Sequence, residues 1–199
     1  MFDKYFSMPA EKNKYTSENC YYLTLNVVDW VDVFIRPAYK NVIVDVLNLF
    51  VQKKGLIIHA WCLMSNHLHL VARSREAFQW PYIIRDLKRY STKEILAELD
   101  NEKEPDCRRK WMMQRFESPV NVTRQLAKYH FWQDVNHPEL CKATDPASVL
   151  QKISFIHQNP VRVLLVDQPE SYIYSSARDY EGKPGLVNIE KFMILNHKK

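Results

Sequence analysis

His67 and His69 are separated by one apolar residue, Leu68, inside a strand-like run that reads Gly-Leu-Ile-Ile-His-Ala-Trp-Cys-Leu-Met-Ser-Asn-His-Leu-His-Leu-Val-Ala-Arg over 55–73. Side chains on a strand alternate between faces, so residues two apart point the same way. Both imidazoles then project from one face while Leu68 packs into the other. Two adjacent imidazoles can hold one divalent metal ion at the middle of a sheet. The same spacing also fits two histidines on a half-buried strand with no ligand, since short motifs match by accident. The pair has to be judged by the elements that would position it.

The apolar runs 55–64 and 68–71 are separated by the turn-forming pair Ser65-Asn66, which predicts a hairpin with both histidines on its second strand. Upstream, residues 21–28 are aromatic and β-branched and read as a first strand. Pro37 can open a helix, Val42, Val46, Leu49 and Phe50 recur at helical spacing, and Gly55 fits the stop, so a helix is expected over 38–53. A second helix is expected over 77–99, with Ile83, Ile84, Leu87, Ile95 and Leu99 on its core side. Arg85, Lys88, Arg89 and Lys93 make part of its outer surface basic. A charged break covers 100–110, and 111–116 can begin another helix. Residues 129–133 read as the last strand, ended by His137-Pro138. Asp145 is a plausible N-cap for a late helix that runs to Asn159, where Pro160 stops it.

The order strand, helix, strand, strand, helix, strand predicts an α+β, ferredoxin-like sandwich: a central antiparallel sheet with helices packed on one face. Residues 1–18 are expected to be a polar leader, 19–160 one catalytic domain, and 161–199 a tail packed on that domain. The 199 residues suffice for a sizeable core, and 46% hydrophobic with 26% charged residues is ordinary for a soluble globular chain. Three glycines leave no room for a phosphate-binding glycine loop. A net charge of +5 favours a polyanionic partner without establishing one. The four cysteines form no Cys-x-x-Cys pair, which argues against a zinc finger and fits a reducing cytoplasm. No apolar stretch is long enough to span a membrane.

Far downstream of the histidines lie Ile-Ser-Phe-Ile-His-Gln-Asn-Pro-Val-Arg (153–162) and Ser-Tyr-Ile-Tyr-Ser-Ser-Ala-Arg-Asp-Tyr (171–180), with Trp132-Gln133 between the two sets. In this order and at this separation, the segments resemble the IS200-like, single-tyrosine transposases of the HUH nuclease superfamily, most closely the REP-associated tyrosine transposase branch. The resemblance runs from about residue 21 to about residue 186. It implies the same sandwich fold and a reaction on single-stranded DNA. A tyrosine oxygen attacks a phosphate polarised by a divalent ion, giving a 5′-phosphotyrosine link and a free 3′-hydroxyl. Joining reverses that step.

Carried onto this chain, the resemblance makes His67 and His69 two metal ligands and Asn159 the third, with Mg²⁺ or Mn²⁺ as the ion and Ni²⁺ or Zn²⁺ acceptable in vitro. The nucleophile position is Phe155, four residues before Asn159. Phenylalanine has no hydroxyl and cannot form the phosphotyrosine bond. This residue is either an introduced substitution or a natural one, and the chain as written is expected to bind DNA without cutting it. Tyr129, Tyr172, Tyr174 and Tyr180 are candidate replacement nucleophiles that the sequence cannot place. His157 is expected to point away from the metal, and His59 reads as a core histidine. Candidate DNA contacts are Arg85, Lys88, Arg89, Arg108, Arg109, Lys110, His157, Arg162, Tyr172 and Arg178, against a DNA hairpin and its single-stranded flank. A monomer and a homodimer are both open. The alternative to an enzyme is a non-catalytic DNA-binding regulator descended from such a transposase. An unrelated metal-dependent hydrolase would need carboxylates beside the histidines, and the hairpin offers none.

Overall fold

A computed structural model describes residues 16–17, 19–101, 106–117, 129–142 and 144–192. The expected leader lies almost wholly outside them. The first strand, β1, is Cys20–Asn26. Helix α1, Pro37–Lys53, opens on the proline and buries Tyr39, Ile43, Val46, Leu47 and Phe50, which recur every three or four residues as a core-facing stripe must. Gly55 ends it in the left-handed region, φ 72°, where a Cβ would also collide with the Phe78 ring. The hairpin follows as β2, Leu56–Leu63, and β3, His67–Ser74, then α2, Trp80–Leu99. The remaining elements are α3 at Arg109–Phe116, β4 at Glu139–Cys141, α4 at Pro146–His157, α5 at Asn159–Arg162 and α6 at Ala177–Tyr180.

The four strands are antiparallel in the order β2-β3-β1-β4, the ferredoxin-like arrangement expected. Alternation along β1 separates two surfaces. Tyr21 and Leu25 turn toward α1 and α2: the Tyr21 ring lies 5.1 Å from that of Trp80, and Leu25 and Leu68 share a small interior space with Ile43, Val46, Leu47 and Leu87. Tyr22 and Thr24 turn the other way, and α4 crosses that second surface with Lys152 over the Tyr22 ring. Among the described residues no helix is long and apolar enough to cross a membrane.

Two expectations are corrected. The fourth strand is residues 139–141 and not 129–133. Tyr129 and Trp132 make only isolated bridges, to Glu117 and Val27. Both Trp132 and β4 lie along the same edge of β1. From Trp132 to Leu140 the chain advances eight residues while β1 goes back six, from Val27 to Tyr21, so the ladder is broken by looped-out residues. The Trp132 indole is spent on the core, its Nε1 donating to Ser91 Oγ at 2.8 Å. Nor does Pro160 end helical structure. It sits in the first turn of α5, where its missing N–H has no acceptor to serve. Asp145 does cap α4, accepting from Ser148 N.

The segment after α5 lies along the free edge of β2. Leu63 N donates to Tyr174 O at 2.9 Å, Ser176 N to Trp61 O at 3.0 Å and Glu190 N to Ile58 O at 2.9 Å. Hydroxyls add to this. Tyr172 donates to Leu63 O at 2.7 Å, and Tyr180 donates to His59 O at 3.1 Å. An open strand edge is a template for wrong pairing, and this strap closes it.

Candidate metal and DNA site

The antiparallel register puts Asn26 opposite His67 and Thr24 opposite His69. Opposed residues share a face, so the imidazoles project from the surface that α4 crosses. Their ring centroids are 4.6 Å apart.

Each imidazole is held at Nδ1. His67 Nδ1 is 2.7 Å from Asn66 Oδ1, which can only accept, so this nitrogen carries the proton. Asn66 Nδ2 in turn donates to Trp30 O at 3.2 Å, which fixes the amide's orientation. His69 Nδ1 is 2.9 Å from Thr24 Oγ1, and Thr24 Oγ1 donates to Tyr22 Oη at 3.2 Å. Tyr22 Oη lies 3.2 Å from the same nitrogen, so His69 Nδ1 meets two hydroxyls. With Nδ1 protonated, His67 keeps a lone pair on Nε2, the tautomer a metal ligand needs, and His69 has the same tautomer where its Nδ1 donates to either hydroxyl. Burial, reinforced by neighbouring His67, pushes His69 down to about 3, and burial lowers His67 despite Asp32. Both rings are neutral at neutral pH.

Helix α4 brings Phe155 to this pair within the same chain. Its ring lies 6.2 Å from that of His69 and 6.3 Å from that of Tyr22, edge-on to both, with the Arg162 guanidinium 4.8 Å from its centroid. The ring is 39% exposed. Asn159 follows Phe155 at the start of α5, and its buried Nδ2 has no hydrogen-bond partner. A buried amide without a partner is costly unless something else is held there. The orphan atom is an N–H donor, which calls for an acceptor and not a cation, so Asn159 could ligate a metal only through Oδ1. The two imidazoles with that oxygen would suit a divalent ion with N and O ligands. No group of three or more His, Cys, Asp or Glu side chains able to hold a metal occurs among the described residues. The set thus depends on the asparagine.

The other expected contacts separate. Arg85 and Arg89 are on the exposed side of α2, both against Asp86. Lys88 is not: its ammonium turns inward to Gln133 O at 2.7 Å and Asp134 O at 3.3 Å, and burial, opposed by Asp134, moves it down to about 8. Carbonyls left by the broken strand edge recruit it. Arg108 is committed to buried Asp106 at 2.8 Å and to Asp32 O, and Arg109 pairs with Asp100, while Lys110 is exposed. Burial would raise the Asp106 carboxyl, but the Arg108 hydrogen bonds outweigh it and hold it low. Arg178 is half-buried. Tyr172, expected to stack on DNA, is buried by the strap, and His157 is buried with Nε2 2.8 Å from Ser176 Oγ. Burial moves His157 to about 4. Tyr172, Tyr174 and Tyr180 spend their hydroxyls on Leu63 O, Asn41 Oδ1 and His59 O, and buried His59 faces Glu190 O.

Sequence reasoning missed Tyr22, Thr24, Asn66 and Trp30. The alternation Tyr-x-Thr-x-Asn along 22–26 carried a signal for a polar face, but only the register shows what it meets. Asn66→Ala is expected to weaken Mn²⁺ binding about 10- to 100-fold while leaving the hairpin intact, because His67 loses its orienting acceptor. Isothermal titration reads this, and unchanged affinity would remove Asn66 from the site.

The model of the family described as "Transposase IS200 like" matches residues 16–118, just over half of the chain. That span holds both histidines and stops short of Phe155. The chain is similar in fold to the solved structure of a REP-associated tyrosine transposase bound to a REP hairpin. The two are 13% identical, the match covers 95% of this chain and 96% of that one, and the TM-score is 0.56. A second solved structure, a candidate transposase from Deinococcus radiodurans R1, is 15% identical over 72% of this chain and 94% of that one, with a TM-score of 0.43. No curated protein sequence matches.

Proposed function

This chain belongs to the IS200-like transposase family, and from that premise we propose that it is a single-tyrosine-type DNA transposase of the REP-associated branch whose nucleophile position is filled by Phe155. On this reading it binds a DNA hairpin with its single-stranded flank and does not cut it. The observation that supports it most is the Phe155 ring beside His69, 6.2 Å between centroids, with Arg162 over the same ring.

His67, His69 and Asn159 would hold the metal. A bound Mg²⁺ or Mn²⁺ supplies positive charge that polarises a phosphate and offsets charge developing on its oxygens. The chain's own residues do the rest. Asn66 at His67, and the Thr24 and Tyr22 hydroxyls at His69, would keep the Nδ1 protons and so present Nε2 to the metal. Arg162 brings a further positive charge to the Phe155 ring, where a phosphate oxygen would be met. Phe155 offers no oxygen to attack phosphorus, so the strand stays whole. Because α4 reaches the histidines within one chain, the reading needs no partner to complete the site, whether the protein is a monomer or a homodimer. The same phenylalanine supports the second reading, a DNA-binding regulator descended from a transposase.

The test is a hairpin oligonucleotide carrying an unpaired flank, incubated with the protein and Mn²⁺ and run on native and denaturing gels. A shifted band with intact DNA is expected. Nicked or protein-linked DNA would remove the inactive reading, and absence of any shift with hairpin or single strand would remove the DNA reading.

A further inference from the structure

We propose that Trp30 stacks on an unpaired nucleobase of the strand whose phosphate meets the histidine pair, an inference that rests on the DNA reading above. Trp30 follows β1 in a 3-10 turn, Val28–Trp30, and its side chain is 55% exposed. A large indole left in water beside a polar site is not explained by core packing. Among the described residues its ring contact is with His67, edge-on, 6.3 Å between centroids.

The backbone there is strained. Asp29 and Trp30 both have positive φ, 53° and 55°, a region that side chains with a Cβ rarely adopt. Two such residues in succession persist only when their surroundings over-determine them, and such strain gathers at ligand-binding positions. The restraints are visible. Trp30 N donates to Val27 O, Val28 N to Phe131 O and Val31 N to Val28 O. From α3, Arg115 pairs with Asp29 at 3.6 Å and Arg108 Nη1 donates to Asp32 O at 2.8 Å. From the hairpin turn, Asn66 Nδ2 donates to Trp30 O. All of these hold the main chain or the flanking residues, and none holds the indole. The turn is braced so that the ring is presented outward.

Asn66 also fixes the distance that matters. One side chain accepts from His67 Nδ1 and donates to Trp30 O, so the backbone that carries the indole is tied to the imidazole. A strand with a phosphate at His67 would carry its neighbouring base past the indole face. Unpaired bases offer a π-face that a duplex hides, and aromatic stacking binds them with little regard to sequence. Arg115 neutralises Asp29 and lies over the ring of Trp111, itself 46% exposed, so the surface beyond Trp30 stays hospitable to a strand.

The experiment uses the full chain, Mn²⁺, and a hairpin oligonucleotide whose flank is either normal or abasic. Trp30→Ala is expected to weaken binding of the normal flank about tenfold, Trp30→Phe to recover most of it, and the abasic flank to bind both proteins alike. Trp30→Leu, apolar but without a π-face, should behave as Trp30→Ala and serves if the alanine variant unfolds. Mn²⁺ affinity of each variant should match the parent. Equal binding of the normal flank by parent, Trp30→Ala and Trp30→Leu overturns the stacking role alone. Failure of the parent to bind either oligonucleotide overturns the DNA reading and this inference together.

Discussion

Phe155→Tyr is expected to convert a protein that holds DNA into one that becomes covalently attached to it. The substitution adds one oxygen to a ring already seated beside His69 and Arg162. The ring is 39% exposed, so the hydroxyl enters without a buried cavity to overfill, and stability should change by no more than about 0.5 kcal/mol. Removing a nucleophile elsewhere costs on the order of 10⁶ in rate, so restoring one should raise strand cleavage by on the order of 10⁴ or more. Parent and revertant, each with Mg²⁺ or Mn²⁺ and single-stranded DNA from the ends of the encoding locus, are compared on a denaturing gel. A protein–DNA band from the revertant alone places the nucleophile at 155. No band from either, with hairpin binding retained by both, favours the DNA-binding regulator.

The second large effect is at the histidine pair. His69→Phe keeps an aromatic ring, slightly larger, and removes the ligand nitrogen. Thr24 and Tyr22 keep their mutual hydrogen bond, so no new orphan hydroxyl is created. Burial already keeps His69 neutral, so no folded-state charge is lost. Mn²⁺ affinity should fall by more than about 100-fold with circular dichroism unchanged, since loss of a ligand exceeds the 10- to 100-fold expected for loss of a ligand's support. Retained affinity by titration calorimetry would show that the pair is only two histidines on a half-buried strand.

Local signals made the sandwich legible. His67 and His69 could be put on one face from strand alternation alone, and α1 and α2 from the helical spacing of Val42, Val46, Leu49 and Phe50 or of Ile83, Leu87 and Ile95. Asp145 announced the start of α4 because capping is a short-range interaction. What stayed hidden depends on partners distant in sequence. Strand β4 is three residues with two exposed, too short to show a period. The richer 129–133 segment drew the strand assignment instead, although Trp132 is apolar for the sake of the core. Lys88 looked like one more cation on a helix surface until the broken strand edge supplied its acceptors. Asn66 read as a turn residue, which it is, but its hydrogen bond to Trp30 O spans 36 positions.

The strap along β2 bears on how the protein is made. Trp61 and Ser176, joined through the Trp61 N–H to Ser176 Oγ hydrogen bond, are 115 positions apart. On a ribosome the hairpin emerges well before the strap and can form at once, whereas its outer margin waits for more than a hundred further residues. Contacts of such long loop closure are slow to form, and nascent chains with unpaired strands are the ones that associate wrongly. His157, two residues beyond Phe155, is tied to that same Ser176. A segment synthesised more than a hundred residues later therefore seals the strand pair and secures the helix that carries Phe155.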